Sequence, residues 1–201
     1  MKATDKKVAL EMRGAHNAMK YCSQCGGPVT LKLPEGDDRL RYVCEACRVI
    51  HYQNPKMVVG CIAQWESEIL LCRRAITPCI GKWTLPAGYL ENGESVQEGA
   101  RREAYEEAQA VVVELQPFAL LNLSFISQIY FMFRGRLPRR EFAPGPESLE
   151  TRLFREEDIP WDDIAFPVIA ETLKLFYSDL PRGNFSFHLK DVHQDKNFIL
   201  C

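Results

Sequence analysis

No apolar run reaches the roughly eighteen residues that a membrane-spanning helix requires, so the 201-residue chain offers no candidate span. Net charge is equally scarce: 25 Lys and Arg against 27 Asp and Glu leave −2. Such a balance supplies no bulk attraction for nucleic acid or for lipid headgroups, although a local basic patch stays open. There is no dense Lys/Arg stripe interleaved with aromatics either, and the expectation is therefore against a nucleic-acid partner. No internal repeat is visible. The opening MKATDKKVALEMRGAHNAMK mixes acids among its basic residues and lacks the apolar core of a signal peptide. Residues 1–20 are read as a leader or short helix, and the protein is expected in the cytoplasm.

What is present is concentrated in residues 83–110, WTLPAGYLENGESVQEGARREAYEEAQA. With residues 95–108 on a helix, Glu103, Glu106 and Glu107 are spaced i, i+3, i+4 and share a face. Clustered carboxylates repel unless a cation sits among them. Hard divalent cations prefer oxygen ligands, and Mg²⁺ fits best where phosphate completes its shell. Arg102 and Glu94 are placed to form a supporting pair, and Ser95 with Glu98 to form a capping box. The spacing alone is also that of a solvated, glutamate-rich helix.

Gly88, Glu94, Arg102, Glu103, Ala104, Glu106, Glu107 and Ala110 fill a longer pattern: G, five residues, E, seven residues, R-E-U-x-E-E-x-G-U, where U is aliphatic. This stretch resembles the Nudix box of the Nudix hydrolase family. Gln109 stands where the family has its last glycine, which calls into question the local backbone geometry and not the ligands. The resemblance implies an enzyme, with Mg²⁺ or Mn²⁺ held by Glu103, Glu106 and Glu107 and approached by the Gly88 carbonyl. It selects an α/β fold, an α/β/α sandwich around a mixed sheet, over residues 55–180. The implied reaction is hydrolysis of a nucleoside diphosphate linked to a second group.

Eight cysteines do not signal secretion, because four have metal spacing: Cys22-x-x-Cys25 and Cys44-x-x-Cys47. Two such knuckles suit tetrahedral Zn²⁺; a redox pair or two disulfides is the alternative. Between them lie two short strand patterns, VTLKL and LRYV, joined by the turn Pro34-Glu35-Gly36-Asp37. A segment this small buries little core, so metal would supply its folding energy. Residues 21–52 are similar to the zinc ribbon that precedes the Nudix domain in some NADH pyrophosphatases, with a structural or dimer-forming role. His51 reads as a fifth metal ligand or as plain linker. Cys61 and Cys72 lie in apolar strands and read as core. Cys79 has no adjacent base and is given no role.

Strand patterns follow at 56–65 and 69–73, then 83–85, 111–121, 125–135 and 149–156, with a closing helix at 166–180. Residues 139–146 read as loop, and 183–201 as a tail that packs on a partner or moves freely. Arg73 and Arg74 suit a diphosphate. Glu147 and Glu150 are loop candidates for a general base, and Tyr130 a candidate for base stacking. The family's NADH pyrophosphatases carry S-Q-P-W-P-F-P-x-S downstream of the box, whereas this chain has only Gln116-Pro117-Phe118. The stretches QPFALLNLSFISQIYFMFRGRL and FAPGPESLETRLFREEDIPWDDIAF resemble a Nudix group acting on FAD and ADP-ribose. The expected substrate is therefore ADP-ribose or FAD, with NADH second, and the expected assembly a homodimer. The non-enzyme alternatives are a nucleotide sensor and a zinc-ribbon RNA-binding protein.

Overall fold

The computed structural model describes residues 19–193, so the expected leader and the far end of the tail lie outside the described residues. The chain divides into two compact units, Met1–Asn54 and Pro55–Cys201. In the first, β1 (Val29–Lys32), β2 (Arg41–Cys44) and β3 (Ile50–His51) form an antiparallel sheet in the order β1-β2-β3. Among its described residues only Cys22 and Cys44 are buried. Among the described residues no apolar core holds this sheet together.

The second unit is the α/β/α sandwich. Its eight-stranded mixed sheet contains β4 (Lys56–Trp65), β5 (Glu68–Arg74), β6 (Trp83–Thr84), β7 (Ala87–Tyr89), β8 (Val113–Leu123), β9 (Gln128–Arg136), β10 (Ser148–Phe154) and β11 (His188–Asp191). The main path runs β10-β5-β4-β9-β8-β11; β6 pairs with β5 and β7 with β4. The β4–β9 and β8–β11 pairs are parallel.

Side chains of β4 alternate between two cores, as a strand covered on both faces must. Val59, Cys61 and Ala63 meet Ala100, Ala104 and Ala108 of helix α1 (Val96–Ala108). These small residues let the helix lie close to the sheet. Ile62 on the other face packs with Leu71, Leu85, Phe118 and Met132 against Val168, Ile169, Leu173 and Phe176 of helix α2 (Pro167–Asp179). Pro167 occupies the first turn of α2, where a missing N–H is harmless.

Several boundaries differ from the sequence reading for local reasons. β9 starts at Gln128 because 124–126 form a 3₁₀ turn closed by Ser127 at φ 53°. The β8–β9 register shifts between Pro117 and Ala119, where proline has no N–H to donate. β7 and β11 were not expected. The first is three residues of the box loop, too short for a period. The second belongs to the predicted tail, whose described part packs on this chain's own sheet: His188 Nε2 lies 2.8 Å from Asp179 Oδ2, and Asn122 Nδ2 donates to Asp191 Oδ1 at 2.8 Å.

Candidate functional site

The turn from β7 into α1 is built around Arg102. Its Nε and Nη2 donate to the two Glu94 carboxylate oxygens at 3.0 and 2.8 Å. Nη2 also reaches the Tyr89 carbonyl at 3.0 Å, and Nη1 reaches Glu103 at 2.7 Å and Glu106 at 2.9 Å. One guanidinium thus ties the loop to two carboxylates of the helix face. The pairing holds Glu94 down at about 2, through Arg102 first and the Glu91 backbone N–H second. The Ser95–Glu98 capping box forms as the sequence predicts, fixing where the helix begins.

Glu103 and Glu107 are both buried on this face. Burial is the main reason both carboxyls rise, Glu107 to about 8; the charge of Glu103 adds to the rise at Glu107 and the Ala87 N–H, 3.1 Å away, opposes it. A Cβ at Gly88 would overlap the Glu103 carboxylate, so glycine is what lets the β7 backbone approach it. Buried carboxylates that resist ionisation, beside a backbone cleared of side chains, suit a divalent cation with oxygen ligands.

A pocket of about 800 Å³ opens over this face. It is lined by Gly88, Arg102, Glu103, Glu106, Glu107, Glu147, Arg74 and Tyr130 from the sequence candidates, while Glu94 supports it through Arg102. Two candidates are not brought there. The Arg73 guanidinium faces Glu150 at 3.8 Å across the β5–β10 pair, and its Nε donates to the Gly81 carbonyl. Strand alternation explains this: neighbouring Arg73 and Arg74 must point to opposite faces. The pocket wall also includes Tyr89, Gln128, Ile76 and Phe166, which sequence reading missed. Tyr89 adjoins Gly88 in the box, but its exposed ring carried no pattern; Arg74 lies 5.1 Å over Phe166, a pairing of residues far apart in sequence.

The Glu107 geometry gives a pH prediction. Well below pH 4.5 folded and unfolded carboxyls are both protonated; above about 8 both are ionised, the folded one at the cost of its burial. Stability should therefore fall as pH rises through this window in magnesium-free buffer, by roughly 2–4 kcal/mol or about 5–10 °C in Tm. Saturating Mg²⁺ should restore most of the loss at the alkaline end. A flat melting profile from pH 5 to 8 without metal would count against a cation-demanding Glu107.

In the first unit the Sγ atoms of Cys22, Cys25, Cys44 and Cys47 lie within 4.8 Å of one another. The Cys22–Cys47 and Cys25–Cys44 pairs are 3.6 and 3.4 Å apart. A tetrahedral ion at about 2.3 Å from each sulfur sets them about 3.8 Å apart, so the cluster fits Zn²⁺. Cys44 is lowered to about 6, first by the Cys47 backbone N–H. His51 Nε2 stands 3.3 Å from Cys22 Sγ, beside the cluster and outside the set of four.

A family model described as the NUDIX domain matches residues 54–175, and one described as Nudix N-terminal, a zinc ribbon, matches 20–53. The crystal structure of a NUDIX hydrolase from Nitrosomonas europaea is 53% identical, with a TM-score of 0.84 over 88% of this chain and 100% of that one. The NAD-capped RNA hydrolase NudC of Stutzerimonas stutzeri is 32% identical over 70% of this chain and 50% of its own length. The mitochondrial NAD(P)H pyrophosphatase NUDT13 of Homo sapiens is 29% identical over 87% of this chain and 47% of its own. This chain spans about half the length of either relative. These relatives overturn two expectations. Their named substrates are NAD(P)H and NAD-capped RNA, against the ranking of ADP-ribose or FAD first. RNA in the name of the NudC relatives also removes the case against a nucleic-acid-linked substrate. The absent downstream motif and the weak net charge misled because neither reports on a pocket formed by distant residues.

Proposed function

The chain belongs to the Nudix family, and from that premise we propose that it hydrolyses the diphosphate linkage of NADH and of NAD-like caps on RNA. The observation that carries the reading is one pocket in which the box carboxylates, Arg74 and Tyr130 meet. Glu103, Glu106 and Glu107, with the Gly88 carbonyl, would hold Mg²⁺ or Mn²⁺. When bound, the metal neutralises diphosphate oxygens and lowers the pKa of its water. Water adds to one phosphorus and the bridging oxygen leaves with the other phosphate, giving AMP and reduced nicotinamide mononucleotide from NADH, and 5′-monophosphate RNA and nicotinamide mononucleotide from a capped RNA. Glu147, on the pocket wall, is the base that takes the water's proton. Arg102 keeps Glu103 and Glu106 oriented through its two Nη1 contacts.

Arg74 is the diphosphate ligand in this reading. Its Nε is engaged by the Pro78 carbonyl at 2.8 Å, and its guanidinium stacks on Phe166 beside the pocket. Chromatography of products from NADH and from an NAD-capped oligonucleotide, with Mg²⁺ and Mn²⁺, tests the substrate class. Arg74→Ala should lower kcat/KM by roughly 30-fold or more, as expected for losing a charge-assisted contact, while Arg73→Ala stays within about threefold. Equal effects of the two substitutions would remove Arg74 from the site. Faster turnover of ADP-ribose or FAD than of NADH would overturn the substrate class.

A further inference from the structure

The last carbonyls of an α-helix need partners from outside it. In α1 these partners come from the loop that carries Glu147. Ala143 N–H donates to the Ala108 carbonyl at 2.9 Å and Gly145 N–H to the Glu107 carbonyl at 3.0 Å. The approach is so close that a Cβ at Gly145 would overlap the Glu106 carbonyl oxygen. The next residues are tied as firmly: Ser148 N–H donates to the Gly145 carbonyl at 3.0 Å, and Ala75 N–H at the end of β5 donates to the Glu147 carbonyl at 2.8 Å. The Glu147 backbone is thereby fixed between the helix end and the sheet.

Gln109 completes the clamp. It adopts the left-handed conformation, φ 48°, that closes the helix, and its backbone N–H reaches the Tyr105 carbonyl at 2.7 Å. Its side-chain Nε2 donates to the Pro144 carbonyl at 3.2 Å, one residue before Gly145. The glutamine that departs from the box pattern therefore does what glycine cannot: it grips the loop.

We propose that Gly145 and Gln109 are positioning residues, whose docking of the 143–147 loop on the C-terminal end of α1 sets the Glu147 carboxylate against the box carboxylates. The inference rests on the diphosphate-hydrolase reading above, with Glu147 as the group positioned. Gly145→Ala must push the loop off the helix end and carry Glu147 with it. The expected result is a fall in kcat of about 10- to 100-fold with KM within about threefold.

A double-mutant cycle separates positioning from plain structural damage. If Gly145 acts through Glu147, Gly145→Ala in an Glu147→Gln background should add less than about twofold. An equal additional loss in that background would overturn the proposal. Gln109→Gly supplies a second variant that relaxes the backbone instead of crowding it. A merely tolerated glutamine predicts a more stable, fully active enzyme, since glycine accepts positive φ at no cost. The clamp predicts unchanged or higher Tm with kcat lowered about two- to fivefold, and parental kcat would overturn the role of Gln109. Should Gly145→Ala fail to fold, the cycle of Gln109→Gly with Glu147→Gln decides by the same criterion. Kinetics are run on whichever diphosphate the parent cleaves. A wrong substrate class then shows as a different preferred diphosphate, and a wrong positioning role as additivity in the cycle.

Discussion

Glu106→Gln is expected to lower kcat on NADH by roughly a hundredfold or more, the scale of several kcal/mol of lost transition-state stabilisation. The substitution keeps the side chain's size and close to its helix propensity, and it removes one charge from the pocket. Glu106 lines that pocket and meets Arg102 Nη1 at 2.9 Å, so it shares the Arg102 guanidinium with Glu103. Glu98, also on α1, is the control. Its carboxylate accepts the Ser95 N–H at 2.8 Å as half of the capping box, away from the pocket wall. Glu98→Gln should cost at most about 1 kcal/mol of stability and leave kcat within a few-fold. If the helix were simply a solvated acidic face, the two variants would have equal, small effects. The decisive comparison is kcat and KM across Mg²⁺ concentration, with zinc content and Tm as folding controls. Turnover of NADH by Glu106→Gln at the parent rate would remove the box face from the chemistry.

The contrast between Glu106 and Glu98 was legible in sequence because helical spacing alone puts a residue on a face, and a capping box has a fixed three-residue span. The fold class was legible for a similar reason: strand and helix periods are local, and the box pattern selects one arrangement of them. Arg73 and Glu150 show where such reading stops. Both lay near the right place in the chain, yet the β5–β10 register pairs them with each other, away from the pocket. Which of two adjacent arginines enters a site depends on strand phase, and the phase is set by burial of Leu70 and Cys72 inside the core beneath α1. Gly145 was also hidden. Its sequence context, APGPE, reads as any surface loop, and only the helix end it abuts reveals why a side chain is excluded there. Substrate choice was misread for the same kind of reason, since the pocket lining beyond the box includes the 76–78 loop, Gln128 and Phe166, which are far apart in sequence.

The other large effect is expected in the first unit. A unit with ten strand residues, in which Cys22 and Cys44 are the only buried side chains among the described residues, has little hydrophobic stabilisation to set against its conformational entropy. Four sulfurs within 4.8 Å, if reduced and without metal, would also crowd like charges as they ionise. Zn²⁺ resolves both problems, because binding to a structural site contributes on the order of 10 kcal/mol that appears as folding free energy. Cys25→Ser should therefore drop zinc from about one ion per chain to near zero. It should also abolish hydrogen-exchange protection in β1 and β2, while the melting transition of the second unit persists. Cys61→Ser makes the same chemical change at a fully buried position beneath α1, where the thiol acts as core. It should keep zinc and instead lower Tm of the second unit, by about 1–3 kcal/mol of stability for a hydroxyl lacking a good partner. His51→Ala tests the remaining neighbour: its imidazole touches Cys22 Sγ from outside the set of four, so zinc should stay at about one ion per chain. Elemental analysis of freshly reduced protein reads all three variants. Full zinc in Cys25→Ser, or none in the parent, would show that the knuckles do not hold a structural ion.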